Sequence, residues 1–277
     1  MDIIRFSIIT PNYNGAVFLE ETLQSVISQR GHGVELEYIV VDGDSRDHSH
    51  EILSRYRGEI SRLLIEPDSG PANAINKGLA LATGEIVAWL NGDDRYFPLA
   101  LQRAEECLAR NPAASFCFGA CPIVDAGSAE IRQGITRFKE FFFPLSSRFT
   151  YQCINYISQP AVFFRRSALE RAGGLREDLQ AAWDYEFILR LWRQGGGVRM
   201  PGGPVAAFRW HEGSISGLHF GAQFREEFQA AARDAGWFSP QALIHYFVRW
   251  GIVSAYFAMA GLRRLRAGRT GDGGRTP

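Results

Sequence analysis

A short apolar segment followed by acidic residues most constrains what this chain can fold into. Residues 86–90 (Ile-Val-Ala-Trp-Leu) are too few for a helix and are typical of a strand buried on both faces of a sheet. The next residues are Asn91, Gly92, Asp93 and Asp94. Adjacent carboxylates repel unless a cation or donors compensate them, and a divalent ion shared with substrate phosphates is one solution. A helix N-cap near Pro98 explains the same acids, so this segment alone leaves both interpretations open.

Strands and helices alternate along the chain. The spacing of apolar residues predicts strands at 6–10, 37–41, 62–65, 86–90, 115–118 and 159–166, and helices at 17–29, 49–56, 71–82, 99–111, 167–172 and 183–191. This alternation is typical of an α/β fold with a doubly wound, mostly parallel sheet and helices on both faces. Ligands of such sheets bind outside the carboxyl ends of the strands. That edge would carry the polar segments 10–14, 42–45, 68–73 and 91–94, which predicts a ligand site, although polar loops also occur without one.

Some classes of protein are disfavoured by what the sequence lacks. No G-x-G-x-x-G motif follows the first strand, which argues against a dinucleotide-binding fold, and the missing G-x-x-x-x-G-K-[ST] loop excludes a phosphate-loop NTPase. Basic and acidic residues number 30 each, so no charge excess points to nucleic acid. The four cysteines lack metal-ligand spacing and no signal peptide begins the chain, so we expect reduced thiols and a cytoplasmic site.

Several motifs in a fixed order carry a resemblance to a known family. They read SIITPNYN at 7–14, VVDGDS at 40–45, EPDSG at 66–70, AINKG at 74–78, ATGE at 82–85 and LNGDD at 90–94. In this order and spacing they resemble the family 2 inverting glycosyltransferases with the GT-A fold, over about residues 5–215. The resemblance implies transfer of a sugar from a nucleotide-diphosphate donor to a hydroxyl acceptor, with Mg²⁺ or Mn²⁺ on the diphosphate.

The resemblance assigns the nucleotide base to the first two motifs. Thr10, Pro11 and Tyr13 would surround the base, with the Tyr13 ring as a flat face, and Asp42 would accept a hydrogen bond from a base N–H. Asp44 stands where related sequences commonly have Gly, which weakens its assignment as a donor contact. The residues themselves leave other interpretations open: Tyr13 as a packed aromatic side chain and Asp42 as a turn residue.

The diphosphate is assigned to two other parts of the chain. Asn73 and Lys77 lie on the first turns of one predicted helix, from which Lys77 could reach a phosphate. A lysine on a solvated face is an equally good interpretation. By resemblance, Arg209 or His211 could meet the same diphosphate from the segment 208–216.

The metal ion is assigned to the acidic motif. Asp93 and Asp94 would hold it, while Asn91 and Gly92 would lie against the donor. Related sequences usually begin this triplet with Asp; Asn91 keeps an oxygen ligand and loses a charge, so we expect weaker metal binding. His211 is a candidate third ligand, although a single histidine is more often structural.

The general base is assigned to the predicted helix 183–191. By resemblance Asp184 would take the proton of the acceptor hydroxyl, a contribution of roughly a hundredfold to ten-thousandfold. Glu186 lies two residues further and points to another face of the helix. Related sequences often have Glu where this chain has Trp183. An N-cap or a partner of the helix dipole is the other interpretation of Asp184.

The chain divides into a predicted GT-A domain at 1–218, a helical segment at 219–266 and a disordered tail at 267–277. Residues 125–158 are rich in aromatic side chains, which indicates an acceptor-side insertion, a membrane-facing patch or an aromatic core under a loop. The segment 244–262 is largely apolar and is followed by arginines. A helix in the membrane interface fits this pattern, and so does a helix packed on protein.

The sequence therefore predicts a metal-dependent, hexosyl-type inverting glycosyltransferase at the inner face of the plasma membrane. Its acceptor would be a growing polysaccharide or a lipid-linked glycan. A sugar-1-phosphate nucleotidyltransferase on a similar sheet is an alternative, although residues 11–15 are not the Gly-rich, Arg-bearing loop that it needs. An inactive nucleotide-sugar-binding subunit is another, for which Asn91 is the only hint.

Overall fold

A central sheet organises the molecule. The computed structural model describes residues 3–31, 33–214 and 220–251. Its strands are β1 (Ile4–Asn12), β2 (Val34–Asp42), β3 (Arg62–Ile65), β4 (Ile86–Trp89), β5 (Arg95–Tyr96), β6 (Phe116–Phe118), β7 (Ile123–Val124), β8 (Glu130–Ile131), β9 (Val162–Arg165), β10 (Gly197–Arg199) and β11 (Ala206–Arg209). Within these ranges, seven strands form one sheet in the order β10-β6-β9-β4-β1-β2-β3. β9 is antiparallel to its neighbours and the other pairs are parallel, which confirms the predicted mostly parallel sheet.

Helices cover both faces of this sheet. They are α1 (Ala16–Ile27), α2 (Ser49–Arg55), α3 (Pro71–Leu81), α4 (Ala100–Arg110), α5 (Gln133–Phe141), α6 (Arg148–Cys153), α7 (Arg166–Ala172), α8 (Trp183–Arg193) and α9 (Phe220–Ala235); residues 240–251 are also helical. Successive strand residues point to opposite faces. Ile9 and Trp89 accordingly pack with α3 and α8 in one buried cluster, whereas Ile8 packs with α1 and α4 in the other. The predicted doubly wound arrangement is confirmed.

β1 runs two residues further than the predicted strand. Its pairing with β4 ends at Ile9–Trp89, whereas its pairing with β2 continues to Asn12–Asp42. Pro11 has no backbone N–H to donate, and the strand tolerates it because the β4 ladder has already ended. The extension makes Asn12 and Asp42 neighbours at the carboxyl edge of the sheet.

A small second sheet stands behind the acidic motif. Its strand order in the described residues is β5-β11-β7-β8. β5 begins at Arg95, directly after Asp94, and pairs with β11, which ends at Arg209. The sequence does not predict this sheet, because strands of two to four residues are too short to show a periodicity.

The aromatic segment forms α5, α6 and a 3-10 turn between them. Phe143 and Tyr151 are buried in the main core, as the interpretation of an aromatic core predicts. Phe138, Phe141 and Phe149 are instead 47%, 69% and 50% exposed. This insertion, residues 133–153, therefore has one core face and one exposed apolar face.

The C-terminal helices pack on this insertion and on α8. α9 contacts α6 and α8, and Nδ1 of His245 in the 240–251 helix lies 2.9 Å from the carbonyl oxygen of Gln152 in α6. The predicted interfacial segment 244–262 is described only to residue 251, and the predicted boundary at 218 and the predicted tail lie outside the described residues. Among the helices of the described ranges, none is long and apolar enough to cross a membrane.

Candidate functional site

A cavity of about 1110 Å³ lies at the carboxyl ends of β1 and β4. Its walls come from the loops after these strands, from α5, from residues 154–160, from the start of α8, from residues 208–214 and from the two C-terminal helices. Seven predicted site residues line it: Pro11, Tyr13, Asn91, Gly92, Asp93, Asp184 and His211. One space thus joins segments that are far apart in the sequence.

Asp93 and His211 form a pair on the cavity wall. Oδ2 of Asp93 lies 3.0 Å from Nε2 of His211, and the two side chains are 29% and 27% exposed. A carboxylate oxygen and an imidazole nitrogen are both ligands that first-row metal ions such as Mn²⁺ accept. Within the described residues, no three His, Cys, Asp or Glu side chains group into a cage for a metal. A metal held here would therefore take most of its ligands from substrate oxygens and water.

Asp94 and Arg209 form a buried clamp behind this pair. Oδ1 of Asp94 accepts the backbone N–H of Arg209 at 2.8 Å. The Arg209 guanidinium donates to the carbonyl oxygen of Asp93 at 2.8 Å and to Oε2 of Glu21 at 2.5 Å. Asp94 and Arg209 are each only 1% exposed. Burial, together with the Asp93 charge, raises the pKa of Asp94 well above its usual range.

This clamp bears on two predicted assignments, Asp94 as a metal ligand and Arg209 as a diphosphate contact, and both stay predictions. Asp94 faces Arg209 and does not line the cavity, so only the first acid of the pair is placed to ligate a metal in this conformation. Arg209 also donates to the carbonyl oxygens of Asp125 and Ala126 and to Oγ of Ser128. Its five N–H donors are then all used within the protein, which leaves none for a diphosphate.

Thr10 and Asp42 lie beneath the cavity floor, and both are fully buried. Oγ1 of Thr10 lies 3.0 Å from the hydroxyl of Tyr38. Asp42 accepts from Nδ2 of Asn12 at 2.6 Å and lies 2.9 Å from Nε2 of His50. Both side chains are covered in this conformation, so their assignments as base contacts stay predictions.

Asn12 presents a buried acceptor atom at the cavity. It lines the cavity and is 4% exposed. Its Oδ1 atom is buried, and no donor among the described residues reaches it. The amide cannot be reversed, because Oδ1 would then face the Asp42 carboxylate, which only accepts. Sequence reasoning missed Asn12, although it stands between two assigned residues of the first motif.

Three other predicted donor contacts do not line the cavity: Asp44, Asn73 and Lys77. Asp44 has a φ of 63°, in the left-handed region where Gly is favoured. Lys77 donates to the Pro67 carbonyl oxygen and pairs with Glu66, both at 2.8 Å. Their roles in donor binding stay predictions.

Asp184 lies in the first turn of α8 and faces the cavity. Its Oδ1 atom accepts the backbone N–H of Tyr185 at 2.7 Å. Burial raises the pKa of Asp184 to about 6, and the Glu227 carboxylate adds to the rise, whereas the Tyr185 N–H and the Lys139 ammonium lower it. The position suits a carboxylate that exchanges a proton near neutral pH.

Asp184 is not the N-cap of α8. The N-cap of α8 is Ala182, without a side-chain cap bond. Glu226 of α9 accepts the backbone N–H groups of Gln180, Ala181 and Ala182 at 2.9 to 3.1 Å. A carboxylate from another helix therefore fixes the loop that leads into α8.

Further charged residues line the cavity, and sequence reasoning did not assign three of them to the site: Arg132, Lys139 and Glu227. The Arg132 guanidinium lies 3.9 Å from the ring centre of Trp210, and Nζ of Lys139 donates to Oγ of Ser158 at 3.1 Å. Burial lowers the pKa of Lys139 and raises that of Glu227. Arg132 and Lys139 are seven residues apart, so a helical projection would have put them on one face. Glu227 lies beyond the motifs and gives no such signal.

Two solved structures share this fold. The S. aureus TarS fragment 1–349 in complex with UDP-GlcNAc matches with a TM-score of 0.66 at 21% identity, over 84% of this chain and 66% of that one. The mannosyltransferase PcManGT from Pyrobaculum calidifontis in complex with GDP-Man and Mn²⁺ matches with a TM-score of 0.63 at 21% identity, over 96% and 83%. The molecule therefore has the architecture of the GT-A glycosyltransferases.

The family follows from the sequence. The family model described as glycosyl transferase family 2 matches residues 7–173. An uncharacterized glycosyltransferase of Mycobacterium tuberculosis is 32% identical over 66% of this chain and 67% of its own length. The chain belongs to glycosyltransferase family 2. It spans between 61% and 67% of the length of the first curated relatives that it matches.

Proposed function

We propose that this chain transfers a sugar, with inversion, from a nucleotide-diphosphate donor to a hydroxyl group of an acceptor. Asp184 would be the general base, and Asp93 with His211 would hold Mg²⁺ or Mn²⁺. One observation carries the proposal: a single cavity is lined both by the Asp93–His211 pair and by a carboxylate whose pKa is about 6. The Asp93–His211 pair and Asp184 come from different elements, so the pair can face the donor while Asp184 faces the acceptor.

The donor end would lie over the first motif. The Tyr13 side chain is 64% exposed in the cavity wall, so its ring offers a face on which a base can stack. Oδ1 of Asn12 would accept a base N–H, because it is a buried acceptor without a donor in the described residues. Asp42 would hold the Asn12 amide in that orientation.

The diphosphate would lie beside Asp93, His211 and Arg132. When bound, the metal supplies Lewis-acid neutralisation of the diphosphate charge. The partly exposed Asp93 carboxylate and the imidazole of His211 fit such an ion, and PcManGT was solved in complex with GDP-Man and Mn²⁺. Arg132 lines the same cavity, and its guanidinium packs on the Trp210 ring. This cation–π contact keeps the positive charge of Arg132 at the cavity wall.

The acceptor end would lie at Asp184. The acceptor oxygen forms a bond to the anomeric carbon while the bond from that carbon to the phosphate oxygen breaks. The hydroxyl proton goes to the Asp184 carboxylate, and the electron pair of the broken bond leaves with the diphosphate. Attack from the face opposite the leaving group gives inversion. A pKa of about 6 leaves Asp184 mostly ionised at neutral pH, and thus able to take this proton.

Incubation with UDP-, GDP- and dTDP-sugars, each with and without Mn²⁺, tests the donor half of the proposal. We expect one nucleotide class to raise the melting temperature, and to do so more with Mn²⁺. Release of the free nucleoside diphosphate with inverted sugar product tests the chemistry. A chain that no nucleotide diphosphate stabilises would overturn the donor assignment.

We further propose that the acceptor is a polysaccharide or lipid-linked glycan at the cytoplasmic face of the plasma membrane, with the C-terminal helix in peripheral contact. The aromatic and basic composition of the segment 244–266 supports this contact.

A further inference from the structure

Two groups of exposed apolar side chains lie on elements that line the cavity, the insertion and the 240–251 helix. On the insertion, Phe138, Phe141 and Phe149 are 47%, 69% and 50% exposed. On the 240–251 helix, Leu243, Phe247 and Trp250 are 60%, 64% and 49% exposed. We call these six side chains the apolar rim.

The exposed helix face belongs to a helix that is anchored on its other side. Ala242 and His245 are 1% and 3% exposed, and the His245 ring is bonded to the carbonyl oxygen of Gln152. Leu243, Phe247 and Trp250 recur at helical spacing on the opposite side. Their exposure is thus a fixed feature of the described surface.

Both patches are attached to the cavity itself. Phe138 of the insertion lines the cavity, and so do Val248 and Arg249 of the helix, together with Asp184. An acceptor that reaches Asp184 from this side passes elements that carry exposed aromatic side chains. Clusters of exposed apolar side chains next to a cavity are typical of a binding surface.

The charge of the chain indicates which partner covers the rim. The whole chain is balanced at 30 basic and 30 acidic residues, yet residues 252–277, which follow the rim helix, contain five arginines and one aspartate. Aromatic side chains that are followed in the sequence by arginines suit the interface of an anionic bilayer, where rings lie at head-group level and arginines meet phosphates. A second copy of the chain carries the same excess of arginines over residues 252–277, so charge favours an anionic bilayer as the partner.

We propose that the apolar rim binds the surface of an anionic lipid bilayer, with the insertion α5–α6 as one half of the contact and the C-terminal helix as the other. The bilayer then holds the acceptor side of the cavity at head-group level, so that the acceptor is a membrane-held amphiphile. This acceptor class rests on the proposed function, whereas lipid binding does not depend on it.

Vesicle flotation with the full chain, in the absence of donor and acceptor, tests the contact. We expect binding to vesicles of phosphatidylcholine with phosphatidylglycerol, little binding to phosphatidylcholine alone, and weaker binding at high salt. The double variants Phe141→Ser/Phe149→Ser and Phe247→Ser/Trp250→Ser should each lower the partition coefficient by about tenfold or more. Ile65→Ser, which changes a side chain 46% exposed on the edge strand β3, is the matched control and should bind like the parent chain.

Each outcome decides for or against the contact. Loss of binding in the helix variant alone would remove the insertion from the surface. Equal binding by all variants, or no binding by the parent chain, would overturn the proposal. A dimer in solution that the same variants dissociate would identify a second copy as the partner instead. Unchanged thermal melting of each variant shows that the fold is intact, and none of these readouts depends on glycosyl transfer.

Discussion

Asp93 and His211 meet across 3.0 Å although 118 positions separate them in the sequence. Asp93 follows the central strand β4, and His211 follows β11 of the small sheet. Arg209 joins the two strand ends, because its backbone N–H bonds to Asp94 and its guanidinium bonds to the carbonyl oxygen of Asp93. The cavity-facing pair is therefore held by a buried clamp that does not itself face the cavity.

The pair predicts how metal binding responds to substitution. We expect Asp93→Asn and His211→Ala each to weaken Mn²⁺ binding in the presence of UDP by about tenfold or more, since each removes one of few protein ligands. Electron paramagnetic resonance of free Mn²⁺ during a titration measures this. His48→Ala, which changes an exposed histidine bonded to Glu51, is the control and should leave the affinity unchanged. An unaltered affinity in His211→Ala would remove the histidine from the site.

The clamp predicts a loss of stability rather than a selective loss of donor binding. Arg209→Met leaves the buried Asp94 and several carbonyl oxygens without their donors, and breaking such a buried network costs about 3–5 kcal/mol. Urea denaturation should show this as a lower midpoint with an unchanged slope. Arg46→Met, at a side chain 84% exposed, should change the free energy of unfolding by less than about 0.5 kcal/mol. An Arg209→Met protein that is as stable as the parent chain but does not bind the donor would instead support Arg209 as a diphosphate contact.

The base assignment predicts a selective loss of turnover. Asp184→Asn should lower kcat by roughly a hundredfold to ten-thousandfold, with the dissociation constant of the donor unchanged, because the proposal assigns Asp184 to the acceptor end. Glu186→Gln, two residues along α8, is the control: its parent carboxylate pairs with Arg190 at 2.8 Å, away from the cavity lining. Calorimetry of donor binding beside single-turnover kinetics separates the two effects. Full turnover by Asp184→Asn would exclude it as the base.

The sequence predicts the sheet well because its strands are long or strongly apolar. The runs that end at Thr10, Val41 and Leu90 carry the pattern of buried strands, and the rule on strand ends places their loops at one cavity. The small sheet consists of strands with too few residues to show a periodicity, namely β5, β7, β8 and β11. The contacts of Asp94 and Arg209 behind Asp93 could therefore not be predicted from the sequence.

Side-chain orientation is what the sequence could not predict at the site. The motifs name Thr10, Asp42, Asp94 and Arg209, but they do not report whether each side chain faces the cavity, and in the structure none of the four lines it. Asp42 and Asp94 point inward because each finds donors there, Asn12 and the Arg209 backbone respectively. Such partners lie dozens of residues away, and no local pattern reports them.

Titration of Asp184 should govern the dependence of the rate on pH. Transfer needs the ionised carboxylate, so we expect kcat to fall tenfold per pH unit well below about 6 and to level off above it. The Lys139 ammonium lowers the pKa of Asp184, and Lys139→Met should therefore move the inflection to higher pH. Arg137→Met is the matched control, because Arg137 lies on the same helix outside the cavity lining and should leave the profile in place. An inflection that Lys139→Met leaves unmoved would separate this lysine from the base.

The raised pKa of Asp184 also determines how this carboxyl group changes the stability of the fold with pH. The pKa of Asp184 in the folded chain, about 6, lies above the ordinary value of 3.8, so the folded state binds the proton more tightly than the unfolded state. The protonated Asp184 carboxyl group therefore stabilises the fold below about pH 4, and this contribution is lost as the pH rises through 6. Asp184→Asn, which cannot ionise, should accordingly raise the melting temperature at pH 8 relative to the parent chain and have little effect at pH 4. Calorimetric melting at both pH values measures this, with Glu186→Gln as the reference. A variant that is less stable than the parent chain at pH 8 would mean that the ionised carboxylate is held by contacts stronger than the cost of its burial.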